Sequence, residues 1–305
     1  MLRALIAPGF FSSSAVTLAL GVGAAVAVVG AAVGVFTVIR GQSFATHALG
    51  DIGAAGGASA YLAGASALWG FTVVAVAGAA VMELIGIQRL RGRDLATGVV
   101  LGVGFGLSAL FLYLGSTYDN TTGAAVTILF GSIFALQGSV LPFVLGLGGG
   151  AIAILATLFR PLLLASTSPD LAAAKGLPVR LLGVGYLLAM AIAVALAALT
   201  VGSILSTALL IGPAAAALKL TARPLPAIAT AAGIGIAAVW LGVLLAYDSY
   251  RWPPVHQGWP ASFFIVTLVL LTYLAAGGVS RRRARRPRPA GPGPASPVDV
   301  AAERS

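Results

Sequence analysis

Long apolar runs alternate with short polar breaks along almost the whole chain. Runs near residues 14–38, 44–64, 67–88, 95–115, 139–159, 179–199, 202–220, 224–246 and 260–278 are each about the length that crosses a bilayer core as a helix, roughly 20 residues. Barrel strands would be shorter and would alternate in polarity, so the pattern predicts an all-α, polytopic membrane helix bundle of about eight or nine transmembrane helices. The stretch GAAVTILFGSIFALQG, 123–138, is apolar but short, and it reads as a re-entrant or interfacial helix. Gly98, Gly102 and Gly106 recur at four-residue steps on one helix face, a seam expected to let helix backbones approach closely inside a compact bundle.

Composition sharpens this picture. With 59% hydrophobic and 9% charged residues over 305 positions, the chain has too little charge to cover a soluble domain. The first run is too long for a signal-peptide core and no cleavage site follows it, so it reads as a retained span. There is no cysteine, which excludes disulfides, thiolate metal sites and thiol nucleophiles and leaves oxygen and imidazole nitrogen as the metal donors.

Of the net charge of +10, Arg281, Arg282, Arg283, Arg285, Arg286 and Arg288 supply much, directly after the last run. A basic cluster there marks a cytoplasmic boundary with affinity for anionic membrane lipid, and no nucleic-acid partner is expected. Residues 1–280 read as one transmembrane domain, and 281–305 as a basic, Pro-rich tail expected to be disordered.

Arg40, then Arg89, Arg91 and Arg93, then Arg160, Lys175 and Arg180, then Lys219 and Arg223, and finally the tail fall on alternate loops. Those loops and the C-terminus are expected on the cytoplasmic side of the cell membrane. The other face receives STYDNTTG (116–123) and YDSYRWPPVHQGW (247–259), whose tyrosines and tryptophans suit an interfacial belt. Nine complete spans place the amino terminus outside; one incomplete span reverses that, as Arg3 favours.

Candidate chemistry is sparse. His47 and Asp51 stand four apart and so share a helix face. If the second span begins near Ser43, Asp51 lies about 12 Å into a core of about 30 Å. A carboxylate at that depth must face the bundle interior, a water-filled path or a cation. Imidazole plus carboxylate is half a site for a divalent metal of the zinc or manganese kind, weak enough to release its ion; the same pair also serves as a structural polar contact between helices. Glu83 is a second candidate ligand on such a path, or a partner for nearby basic residues. Asp119, Asp248 and His256 lie in the outside loops and read as solvated surface, with contact to a delivery protein or an arriving ion as the alternative for the last two.

No G-x-x-x-x-G-K-[ST] phosphate loop and no nucleophile with an adjacent base occur, so the chain is read as no enzyme and as binding no cofactor of its own. In RPLLLASTSPDLAAAKGLPVRLL, 160–182, Ser168 with Pro169 and Asp170 reads as a helix start, DLAAAK as a short helix and Gly176 as its stop. That helix is either a tidy connection between spans or a docking element for a soluble partner.

Over about residues 14–278 the sequence resembles the permease subunit of ABC importers for zinc, manganese and iron. The resemblance rests on VIRGQSFATHALGDIGAAGG, ILFGSIFAL (128–136), SPDLAAAKGLPVRLL (168–182) and VGSILSTALLIGPAAAALKL (201–220). The third looks like the family's coupling segment, D-x-E-x-A-x-x-x-G-L-P-V. It implies a short cytoplasmic coupling helix in which Ser168, Pro169, Asp170, Leu171, Ala174, Gly176 and Leu177 dock into a separate ATPase subunit.

Most members show Asp then His in G-D-x-x-S-H, where the pair contributes to the metal path. Here the order is exchanged, with His47 at the usual Asp position and Asp51 at the usual His position, and GAAGG replaces the P-G that usually follows. The resemblance implies a homodimer that moves a divalent metal, zinc favoured and manganese or iron as alternatives. An extracytoplasmic metal-binding receptor and paired cytoplasmic ABC ATPases would be its partners. The rival readings are an ion-gradient-driven secondary cation carrier, with His47, Asp51 and Glu83 as its relay, and a membrane assembly protein without transport.

Overall fold

The computed structural model describes residues 10–87, 90–118, 122–252 and 258–284. Asp119, His256, Arg89 and the tail from residue 285 lie outside the described residues. Helices α1 (Ser14–Ile39), α2 (Ser43–Leu62), α3 (Ala67–Ile85) and α4 (Leu90–Tyr118) are followed by the short α5 (Thr122–Phe130) and a 3₁₀ turn (Ile133–Ala135). Then come α6 (Val140–Thr167), the six-residue α7 (Pro169–Ala174), α8 (Val179–Val201), α9 (Ser203–Leu220), α10 (Pro224–Ser249) and α11 (Ala261–Ala284). The chain is a polytopic helical bundle: eight of the described helices are long and apolar enough to cross a membrane.

The one long helix outside that group is α2. Its 20 residues include His47, Asp51 and many small side chains, which lower its hydropathy. It needs no apolar surface because protein surrounds it: α3, α4, α8 and α9 all pack against it, and most of its residues are buried. α1 and α8 are the other central helices, with 72% and 78% of their spanning windows buried. α1 is flanked by α6, α9 and α10, while α11 closes the outside against α9 and α10. The peripheral helices bury only a quarter to a third of themselves. They present residues such as Val103, Phe105, Leu270 and Leu271 outward, as expected where the solvent is lipid.

Each apolar run of the sequence is a helix, but several helices outrun their apolar cores. α4 starts at Leu90 rather than 95, α10 ends at Ser249, and α11 continues through Arg281 and Arg282. The largest correction is at α6, which carries on past Arg160 and through Pro161 to Thr167 where a loop was expected. Hydropathy marks where lipid ends, whereas a helix ends where its backbone finds a better partner.

The 123–138 stretch is a nine-residue helix broken at Gly131. Gly131 (φ +76°) meets Gly202 (φ +88°), the hinge between α8 and α9. A Cβ on Gly131 would lie 2.5 Å from the Gly202 nitrogen, so both the positive φ and the contact require glycine.

The glycine seam is a second correction. Gly98, Gly102 and Gly106 have nothing within 4 Å of where a Cβ would stand and lie on the outward face of α4. The glycine that admits a neighbour is Gly104, on the opposite face.

Candidate cation path and docking helix

α2 starts from a tight turn after α1, in which Gly41 takes φ +63° and the Gln42 amide donates to the Thr37 carbonyl at 3.0 Å. Gln42 and Thr46 are buried. One turn on, His47 is partly open, its side chain 39% exposed, and a further turn on Asp51 is enclosed, its side chain 8% exposed. His47 Nε2 and Asp51 Oδ2 stand 3.7 Å apart, on one face but beyond hydrogen-bond reach.

The backbone around Asp51 is clamped while its carboxylate is not. Gly104 of α4 comes so close that a Cβ there would lie 2.5 Å from the Ile52 nitrogen, and Ser108 Oγ donates to the Asp51 carbonyl at 2.8 Å. Asp51 Oδ2, however, is buried with no hydrogen-bond partner. An unmatched carboxylate oxygen in such surroundings is expensive, and a cation of two charges with an imidazole beside it is the group that would offset the cost. Among the described residues no three His, Asp or Glu side chains gather closely enough to hold a metal ion, so the pair stands by itself within one chain.

α9 adds polar atoms that the sequence analysis passed over. Ser203 Oγ and Thr207 Oγ1 are buried without partners. α9 lies against α2, where a Cβ on Gly50 would be 3.3 Å from both the Ser203 carbonyl and Ser206 Oγ. Three hydroxyls within SILST, in an otherwise apolar run, were the available signal.

Glu83 sits apart from the pair, near the end of α3. It meets Arg180 at the start of α8, with Arg180 Nε 3.5 Å from Glu83 Oε1. Asp248 is held locally by Arg251 Nε at 3.5 Å and accepts from Trp252 Nε1 at 3.4 Å. Trp252 in turn belongs to a cluster of aromatic rings with Trp259, Phe263 and Phe264.

A second polar group lies where α1, α6 and α8 meet, and sequence reasoning used its Arg40 only to orient the chain. Arg40 Nη1 donates to Ser166 Oγ of α6 at 3.1 Å, its Nε faces Gln42 Oε1 at 3.5 Å, and its guanidinium lies 5.0 Å over the Tyr186 ring of α8. The Tyr186 hydroxyl is paired with Thr37 Oγ1 at 2.7 Å. Arg93 Nη1 donates to the Gly41 carbonyl at 3.3 Å. Burial lowers the pKa of Arg40 from its ordinary value; Arg93 acts the same way while Tyr186 and Glu83 oppose it, and a guanidinium stays charged regardless.

α7 is built as the sequence reads. Pro169 occupies its first turn, and Gly176, at φ +73°, ends it. There the Gly176 amide donates to the Ala173 carbonyl at 2.9 Å and the Leu177 amide to the Ala172 carbonyl at 3.1 Å, the paired bonds of a glycine-capped helix end. Ala172 is fully buried against the bundle, whereas Pro169, Asp170, Leu171, Ala174 and Gly176 are exposed and Ser168 and Leu177 half-buried. The segment thus offers an outer surface on a fixed base.

Known proteins are similar to the chain in sequence and in fold. The chain is 29% identical over 219 residues to the manganese transport system membrane protein MntC of Halalkalibacterium halodurans, covering 71% of this chain and 74% of that one. It is 27% identical over 224 residues to the manganese import system permease protein ScaB of Streptococcus parasanguinis, covering 73% and 79%. The fold matches that of PsaBC from Streptococcus pneumoniae, solved in complex with Fab, with a TM-score of 0.74 at 24% identity over 90% of this chain and 95% of that one. A sequence model of the ABC 3 transport family matches residues 12–276, and the chain belongs to that family as the transmembrane permease subunit of an ABC importer.

Proposed function

We propose that this permease imports a divalent transition-metal ion past His47 and Asp51. The observation that carries the reading is the Asp51 carboxylate, buried in the middle of the bundle, with one oxygen unmatched and an imidazole 3.7 Å away. Such a group is costly in a purely structural element and useful in a path that must bind a cation and let it go. Relatives that carry manganese in their names make manganese the first cargo to test. Zinc, the ion expected from the sequence resemblance, is its competitor, and one nitrogen with one carboxylate suits either ion.

Two copies of the chain would pair, each offering the outer surface of α7 to a cytoplasmic ABC ATPase, with a metal-binding receptor delivering the ion at the opposite end. The basic residues support this orientation. Arg40, Arg93 and Arg180 gather with the base of α7, and Lys219 lies over the Tyr273 ring of α11 at 3.3 Å, leading toward the basic tail. The positive-inside rule then puts α7 and the C-terminus in the cytoplasm. A gradient-driven carrier accounts for neither the family match nor an exposed, glycine-capped α7.

The test is uptake of radioactive manganese and zinc by proteoliposomes holding the chain with its ATPase and receptor. ATP-dependent uptake of at least one metal is expected, with the preferred isotope naming the cargo. Uptake indifferent to ATP while a competent ATPase is bound would sink the importer reading.

A further inference from the structure

The inner polar cluster joins two elements that are far apart in sequence and have different tasks. α7 follows α6 directly, through Ser168. Ser166, in the last turn of α6, accepts from Arg40 Nη1 at 3.1 Å. Arg40 is also the last residue before the turn into α2, and its Nε faces Gln42, the buried residue on which α2 begins. His47 stands only five residues beyond Gln42 along the same rigid helix.

A second link runs through the other end of α7. After Gly176 the chain enters α8, whose Arg180 pairs with Glu83 of α3, and the Glu83 charge is felt at Arg40. Tyr186, fully buried, holds the guanidinium from beneath and is itself tied to α1 through Thr37.

We propose that Arg40 is a positioning residue that transmits displacement of α7 to α2, so that ATPase closure is felt at His47 and Asp51. The inference rests on the permease reading above. The chemistry favours arginine for the task. A guanidinium is a planar fork whose nitrogens bond Ser166 and face Gln42 in one plane while its face lies on the Tyr186 ring, so none of the three contacts moves alone. A lysine offers charge at a single point and cannot hold the same three directions. Rigid polar contacts between helices that themselves shift as bodies are the means by which a local push becomes a repositioned helix.

The experiment uses the assembled transporter in proteoliposomes and reads two quantities together, metal taken up and ATP hydrolysed. Ser166→Ala removes one contact with the least disturbance, and Arg40→Lys keeps the charge while losing the fork. Binding of the ATPase, measured by co-purification, and thermal stability report on folding. With both retained, metal transported per ATP is expected to fall at least about threefold in each variant, with hydrolysis less affected than uptake. A purely structural role would lower uptake and hydrolysis in proportion, together with assembly, and that result overturns the proposal. So does an unchanged ratio in both variants. If Arg40→Lys fails to assemble, Ser166→Ala decides alone. Wild-type protein without ATP-dependent uptake would instead overturn the permease reading, and this inference with it.

Discussion

The pair on α2 and the cluster around Arg40 both bury charged side chains at least in part, and they surround them differently. Arg40 has Ser166, Gln42 and Tyr186 around it, Tyr186 is paired with Thr37, and Arg93 Nη1 donates to the Gly41 carbonyl while its Nε is buried without a hydrogen-bond partner. At α2 the backbone of Asp51 is clamped by Gly104 and Ser108, yet its Oδ2 has no hydrogen-bond partner and only the His47 imidazole 3.7 Å away. A polar group bonded to several helices at once is suited to hold them together, and a buried carboxylate oxygen left without a hydrogen bond on a clamped helix is suited to receive a cation.

The contrast breaks first at Asp51. Asp51→Asn keeps the shape and removes the charge, so ATP-driven metal uptake should fall at least about tenfold, the scale on which losing a ligand weakens a metal site. Thermal stability should hold or rise, because an unmatched buried charge has been relieved. A fall in stability with uptake intact would return the pair to a structural role. The exchange His47→Asp with Asp51→His sharpens the point. It keeps one nitrogen and one carboxylate on the same face, so uptake should stay within about tenfold of the native protein and the order of preference between manganese and zinc should hold, because both ions meet the same two donors. Radioisotope competition on the double variant measures both.

The sequence made the helices legible because lipid demands long apolar runs and forbids unsatisfied backbone in the membrane. It made α7 legible because Pro169 and Gly176 are local signals that need no tertiary contact. The pair at His47 and Asp51 was visible as charge in an apolar run. What stayed hidden was pairing between distant segments: Arg40 with Ser166 is separated by 126 positions and Thr37 with Tyr186 by 149. Nothing in the local pattern encodes such partners. The extension of α6 through Pro161 escaped because a proline after an arginine imitates a helix end when the seven further helical residues are not in view. Glu83 reads from sequence as a candidate ligand or a partner for basic residues near it in the chain, whereas Arg180, which pairs with it, lies on a helix that sequence distance does not connect to it.

The smaller predictions turn on glycines of equal composition and unequal surroundings. Gly176→Ala places a Cβ at φ +73° and should cost about 1 kcal/mol at the end of α7, loosening ATPase binding a few-fold in a pull-down titration. Gly104→Ala should be costlier, about 1–3 kcal/mol, because its Cβ would press on the backbone of Ile52 and displace the helix that carries Asp51. Both lower the melting temperature of the detergent-solubilised protein, and only Gly104→Ala should also change metal affinity.

Gly102→Ala, half a turn away on α4, has the opposite expectation. Nothing stands within 4 Å of its Cβ, so the substitution should leave stability unchanged or raise it by about 0.5–1 kcal/mol, the helix preference of alanine over glycine. If instead Gly102→Ala weakens association of two copies in size-exclusion chromatography at unchanged monomer stability, that outward face of α4 is where a second copy sits. The same seam is then close-packed after all, between chains rather than within one.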